Sequence, residues 1–181
     1  TANAGSVTPV TGTITIDVTH LAFLASGDVS SIPLDAGDTT SLKVEATDEN
    51  RNIDEDYTGS HTLTFSGLAS VGGNNPTVDA TALGTPMSVS FTNGVASGMT
   101  LAVYAAETAD LVAEDQANPG YLHHALTCIV SPDVASNIAA VSGDGQSSAI
   151  NTDLPQPLVV RVTDTYGNRI YGRTVDFTVS S

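Results

Sequence analysis

Residues 41–66, SLKVEATDENRNIDEDYTGSHTLTFS, and residues 157–180, PLVVRVTDTYGNRIYGRTVDFTVS, carry one pattern twice. In the first copy Leu42, Val44 and Ala46 alternate with Lys43, Glu45 and Thr47, the period of two that gives a strand a single apolar face. An Asp-led turn follows, then a second strand in which Leu63 and Phe65 alternate with Thr62 and Thr64. Val44, Ala46, Thr47, Asp48 and Asn52 match Val160, Val162, Thr163, Asp164 and Asn168. Beyond the turn Gly59, Leu63 and Phe65 match Gly172, Val175 and Phe177, once the acidic insertion Asp54-Glu55-Asp56 is allowed in the first copy. From Asp48 to Asp164 is 116 residues, close to the roughly 100 residues of one β-sandwich domain.

The turn follows from its residue types. An Asp side chain accepts hydrogen bonds from the backbone two residues on, Gly permits positive φ and Asn tolerates it. Asp164-Thr165-Tyr166-Gly167-Asn168 therefore predicts a tight connection between two strands, and the first copy differs by placing Arg51 where the second has Gly167.

Outward from the repeat, short alternating runs continue. Ile14, Ile16 and Val18 fall on one face of residues 13–18, and residues 21–24 form a second apolar run. Val89 and Phe91, then Met99, Leu101 and Val103, then Leu111 and Ala113, then Leu126, Cys128 and Val130 complete eight or nine strands before residue 132. Breakers separate them: Gly37-Asp38, Gly72-Gly73-Asn74-Asn75-Pro76, Asn93-Gly94 and Asn118-Pro119-Gly120. Asn93-Gly94 is a hairpin signal. Residues 102–117 are the one stretch with a helix-like composition, but they carry no apolar stripe and read as strand and turn.

Composition agrees with an all-β chain and narrows the partners. Thr, Val, Ser and Ala dominate, and helix-favouring Lys, Arg, Gln and Met are scarce. Twenty acidic residues against five basic ones give a formal charge of −15. Phosphate binding needs a basic patch, so nucleic acid is excluded as a partner and an anionic membrane surface is disfavoured. Such acidity suits an exposed protein and divalent cations. No apolar run reaches the 18 residues of a membrane span. The opening TANAGS is small and polar, as expected just after a signal-cleavage site or at a chain boundary. The single Cys128 rules out an internal disulfide, and its setting ALTCIVS predicts a small buried residue.

The second copy, from SGDGQSSAINTDLPQPLVVRVTDTYGNRIYGRTVDFTV, resembles the opening of bacterial immunoglobulin-like domains, the invasin- and intimin-type repeats of cell-surface proteins. The resemblance covers roughly 25 residues of each copy and elsewhere only the pattern of strands. It implies immunoglobulin-like sandwiches, a cell-surface setting and no catalytic residues. The expected organisation is an N-terminal strand segment over residues 1–19, an immunoglobulin-like sandwich over 20–132, and a partial second one over 133–181. In short, the expectation is all-β: tandem immunoglobulin-like β-sandwiches, the second incomplete.

Candidate sites are few. Asp48, Asn50, Asn52, Asp54 and Asp56 stand at alternate positions of a run with the look of a calcium loop. Ile53 occupies the place of its sharp-turn Gly, and Gly59 that of its bidentate Glu. Two readings stay open there, a looser Ca²⁺ site and a solvated acidic turn. His123 and His124 are adjacent, so on a strand they face opposite ways and cannot share a metal easily; His20 and His61 read as strand-surface residues. Acidic pairs stand beside no aromatic sugar platform and Trp is absent, so no enzyme is expected. A binding patch built from Tyr57, Tyr104, Tyr121, Tyr166 and Tyr171 is the alternative, as a carbohydrate- or protein-binding adhesin module. A spacer fragment of a longer repeat protein is another.

The favoured expectation is a non-enzymatic extracellular subunit of a surface filament or adhesin stalk. Its partners would be copies of itself, or sister immunoglobulin-like domains, joined head to tail. A partial second sandwich would leave an apolar face and a strand edge open. The strand of residues 13–18 of a neighbouring copy, with Ile14, Ile16 and Val18 inserted, would cover that face by β-augmentation.

Overall fold

A computed structural model of the chain describes residues 20–25, 29–48, 50–119 and 122–178. Their secondary structure is entirely β. In chain order the strands are β1 (His20–Ala25), β2 (Ser31–Asp35), β3 (Thr39–Thr47), β4 (Gly59–Ser66), β5 (Thr77–Val78), β6 (Thr81–Ala82), β7 (Pro86–Phe91), β8 (Val95–Ala102), β9 (Thr108–Asp115), β10 (Leu122–His124), β11 (Leu126–Ser131), β12 (Asn137–Ser142) and β13 (Val159–Thr163). The expected strand of Ile14, Ile16 and Val18 lies outside the described residues.

β1 to β11 form two facing sheets, ordered β10-β1-β3-β8-β5-β6 and β2-β11-β9-β4-β7. The chain enters in one sheet as β1 and crosses to the other as β2, which runs parallel to β11. Read from β1, the orders β1-β3-β8-β5 and β11-β9-β4 are the two-layer arrangement of an immunoglobulin sandwich. The alternating residues face inward. Leu42, Val44, Ala46, Leu63, Phe65, Leu101, Leu111, Leu126 and Cys128 are all buried in one aliphatic core.

Pro33 sits in β2, a position the ladder tolerates because β2 is an edge strand. Asn93 and Gly94, at φ 48° and 76°, make the two-residue turn their sequence predicts. The flanking strands, however, are not a hairpin. After the single bridge Thr92↔Val95, β7 joins one sheet and β8 the other. Residues 102–117 contain β9 and no helix.

β12 and β13 form a separate two-stranded sheet. They pair antiparallel as β1 and β3 do, but one residue out of register at the 116-residue offset: Thr163 pairs with Asn137, the counterpart of Leu21, whereas Thr47 pairs with His20. Two sequence expectations are corrected here. Val160 and Val162 are only half-buried and Phe177 is 58% exposed, although all three match core positions of the first copy. Residues 173–178 form no strand either, although they match β4. The reason is common to both. β4 is held by β7 and β9 and covered by the facing sheet, and no counterpart of those strands lies beside β12 and β13 among the described residues.

Candidate functional site: a turn seated in the end of the sandwich

The repeated sequence folds into a repeated turn. In the first, Asp48 Oδ1 accepts hydrogen bonds from the amides of Asn50 (2.8 Å) and Asn52 (2.9 Å), and Oδ2 accepts one from Asn52 Nδ2 (2.8 Å). In the second, Asp164 Oδ1 accepts from the amides of Tyr166 (3.0 Å) and Asn168 (2.8 Å), and Oδ2 accepts from Asn168 Nδ2 (2.8 Å). Backbone bonds agree as well: Asp48 N to Asn52 O and Arg51 N to Asp48 O recur as Asp164 N to Asn168 O and Gly167 N to Asp164 O. The fourth residue of each turn is left-handed, Arg51 at φ 67° and Gly167 at 98°. Gly adopts that conformation without strain, whereas Arg does so against the steric cost of its Cβ.

The surroundings of the two turns differ. Asn50, Arg51 and Asn52 are exposed. The second turn is instead seated on the end of the sandwich, against the connection from β8 to β9. Asn168 Oδ1 accepts the Ala106 amide at 2.8 Å, and its Nδ2 donates to the Tyr104 carbonyl at 2.7 Å. With its second Nδ2 hydrogen on Asp164, the amide group has no unused donor. Tyr166 packs on the sandwich core, its ring 5.3 Å from that of Tyr104. Gly37 lies beneath the Tyr166 ring and Gly72 beneath its carbonyl, where any Cβ would overlap. The entry to β12 closes the far side: the Asp133 amide reaches Asp164 Oδ2 at 3.1 Å, and Asn137 Nδ2 reaches the Asp164 carbonyl at 3.2 Å.

Asp164 is completely buried. Burial opposes its ionisation, yet the bonds from the Asn168 side chain and amide and from the Asp133 and Tyr166 amides outweigh it, holding its pKa below the ordinary carboxylate value. A carboxylate so fully hydrogen-bonded is a structural acceptor, with no lone pair directed at a substrate. The arrangement acts as a latch, joining β12 and β13 to the sandwich through directional polar bonds around one aromatic contact.

The other predicted residues fall outside this latch. Asp48 accepts the three bonds of its own turn, and Asp54, buried, accepts the Asp56 amide at 3.1 Å. Among the described residues no group of three or more His, Cys, Asp or Glu is placed to hold a metal ion. His61 is not a free surface residue: it stacks on Tyr57 with ring centroids 3.8 Å apart and stands 3.6 Å from Asp115, whose Oδ2 accepts the Tyr57 hydroxyl at 2.8 Å. Cys128 is buried as expected, and that burial, with Asp110 and Glu107 nearby, pushes its thiol up to about 11. The described tyrosines divide among separate settings: Tyr57 in the core, Tyr104 and Tyr166 on each other, Tyr171 in solvent. Tyr121, Ile14, Ile16 and Val18 lie outside the described residues. What the sequence could not reveal was the socket. Tyr104 and Ala106 contribute backbone groups and Gly37 and Gly72 contribute the absence of a side chain, neither of which leaves a motif.

No family model and no curated protein matches the sequence. Among solved structures the chain is similar to one described as the structure of Yersinia pseudotuberculosis InvD, at a TM-score of 0.44 and 16% identity. The match covers 86% of this chain and 44% of that one, so this chain spans less than half the length of that structure. A likeness so loose assigns no role.

Proposed function

We propose that this chain is a non-enzymatic structural segment of an extracellular rod, a surface filament or adhesin stalk in which immunoglobulin-like units follow one another head to tail. The observation that carries the reading is the latch. A buried Asp-Asn turn belonging to the β12–β13 sheet is fixed to the end of the preceding sandwich by side-chain bonds, where a flexible linker would make none. The charge of −15 suits an exposed, soluble surface. Among the described residues no helix is long and apolar enough to cross a membrane.

The β12–β13 sheet gives the head-to-tail contact a second element. Val134, Ile138, Val162 and Val175, together with polar Ser136, Asn137, Arg173 and Thr174, line a groove of about 510 Å³ on it. A groove of mixed lining beside a sheet left two-stranded among the described residues offers an added strand both side-chain contacts and backbone partners. Residues 13–18 of a second copy, presenting Ile14, Ile16 and Val18, match it in chemistry. Deleting residues 1–19 should then abolish self-association in sedimentation runs, and identical monomeric profiles with and without them would dismiss strand donation.

The structural role itself is tested on intact cells that make the protein. Antibody against this chain should label their exterior along thin rods in electron micrographs. Labelling confined to the cell interior, or to compact particles, would contradict the role.

A further inference from the structure

Charge is distributed unevenly along the chain. Residues 1–132 hold fifteen of the twenty acidic residues, with Lys43 and Arg51 as their only bases, whereas residues 133–181 hold five, with Arg161, Arg169 and Arg173. Of those five, Asp164 is buried in the latch. All three arginines are exposed, and among the described residues no carboxylate lies within ion-pair reach of any of them, while Lys43 stands 2.9 Å from Glu45. They gather about β13. Arg173 lines the groove of about 510 Å³ beside Val162, and Arg161 and Arg169 line a second groove, of about 240 Å³, that also includes Val162. Three unpaired guanidinium groups on a sheet left two-stranded, in a chain of charge −15, fit an acidic protein surface.

Such a surface stands at the far end of the sandwich. Gly37, beneath the Tyr166 ring, lies just before β3, and the acidic insertion lies beyond its other end, so nine residues of strand, about 30 Å, separate the two. Glu55 and Asp56 are exposed there, in the insertion the second copy lacks. Their backbone is fixed. The Asp54 amide donates to the Ala46 carbonyl at 2.9 Å and the Tyr57 amide to the Asp54 carbonyl at 3.1 Å, and Gly94 packs so closely on that carbonyl that a Cβ would overlap it. Because the latch holds β12 and β13 at the opposite end, the arginines of one chain can meet these acids only on another. We infer that the arginine-lined β12–β13 unit of one copy docks on the far end of the sandwich of a second copy, its guanidinium groups paired with Glu55 and Asp56. The inference deepens the head-to-tail reading and rests on it, and it supplies the direction. Acidic end against acidic end repels, as does arginine against arginine, so only unlike ends join.

Sedimentation velocity on the 181-residue chain tests this. The unaltered chain should self-associate at low salt, with an association constant that falls by on the order of tenfold at high salt, because exposed ion pairs are screened. One variant carries Arg161→Glu, Arg169→Glu and Arg173→Glu, and another carries Glu55→Arg and Asp56→Arg. Each alone should be monomeric at concentrations where the unaltered chain associates, and an equal mixture of the two should associate again, since every contact in it joins unlike ends. Damage to the fold cannot produce that recovery, and the salt curve needs no variant at all. If the unaltered chain stays monomeric at low salt, the head-to-tail reading itself fails. If it associates but is indifferent to salt, if either variant associates as well as it does, or if the mixture stays monomeric, the inference alone is overturned.

Discussion

Replacing Asn168 with Ala removes three hydrogen bonds at one point: the Ala106 amide at 2.8 Å, the Tyr104 carbonyl at 2.7 Å, and Asp164 Oδ2 at 2.8 Å. A neutral bond contributes about 1 kcal/mol net and one to a charged group about 1.5–3, with more lost where a partner stays buried and unsatisfied. Ala106 and Tyr104 are only half-buried, so water can replace part of what they lose. The seated state should lose about 2–4 kcal/mol. Exchange of the Ala106 amide, which needs only the turn to lift, should then quicken about 30- to 700-fold, at tenfold per 1.4 kcal/mol. Amides in the middle of the sandwich, such as that of Leu63, should keep their rates, because the core of β1 to β11 does not depend on Asn168. Asn168→Asp, which keeps the shape but turns two donors toward the Tyr104 carbonyl and the Asp164 carboxylate into acceptors, should act at least as strongly. An Ala106 rate changed by less than about threefold would refute the latch. Equal acceleration at Ala106 and Leu63 would refute it too, by showing that Asn168 supports the whole fold.

Three further outcomes follow from the same structure. Phe65→Ala should lower the stability of the sandwich by about 3–5 kcal/mol in denaturant titration, since the ring is 2% exposed, and a loss below about 1 kcal/mol would mean the core is wrongly drawn. Gly72→Ala adds a Cβ that overlaps the Tyr166 backbone carbonyl, so it should release Ala106 much as Asn168→Ala does, and more than Gly73→Ala, which shares the cost of a positive φ but has open space for its Cβ. Acid should open the latch: the Asp164 pKa is lowered in the folded state, so its contribution is complete above the unfolded carboxylate value of about 3.9 and is lost as pH falls through the lower folded value. Titration of Ala106 protection should therefore be flat from about pH 7 to 5 and fall below about pH 4, and a fall centred near neutrality would point to another group.

Much of the sandwich was legible because its strands are half-buried. One face must be apolar, so Leu42, Val44 and Ala46, or Leu111 and Ala113, declare both strand and direction. β2 was missed because Ile32-Pro33-Leu34 is a short run broken by the residue least suited to a ladder, tolerated here only at an edge. Asn93-Gly94 encoded its turn but not the partners of the strands it joins, since two-residue turn chemistry is local while sheet membership depends on distant strands. Phe177 shows the limit of the repeat itself. It copies the pattern of Phe65, yet burial is a property of the layers around a residue, and among the described residues those layers surround Phe65 and not Phe177. The turn was read correctly in both copies because five residues contain all its internal bonds. Its seat went unread because a carbonyl, an amide and two glycines carry no pattern of their own.

The central claim is that turn 164–168 holds the β12–β13 sheet rigidly to the sandwich. Backbone ¹⁵N relaxation on the 181-residue chain measures this directly, because two bodies joined by a flexible linker tumble separately. The latch predicts one common rotational correlation time for amides of β3, β9, β12 and β13, splitting into two on Asn168→Ala. Shorter correlation times for β12 and β13 in the unaltered chain would contradict it.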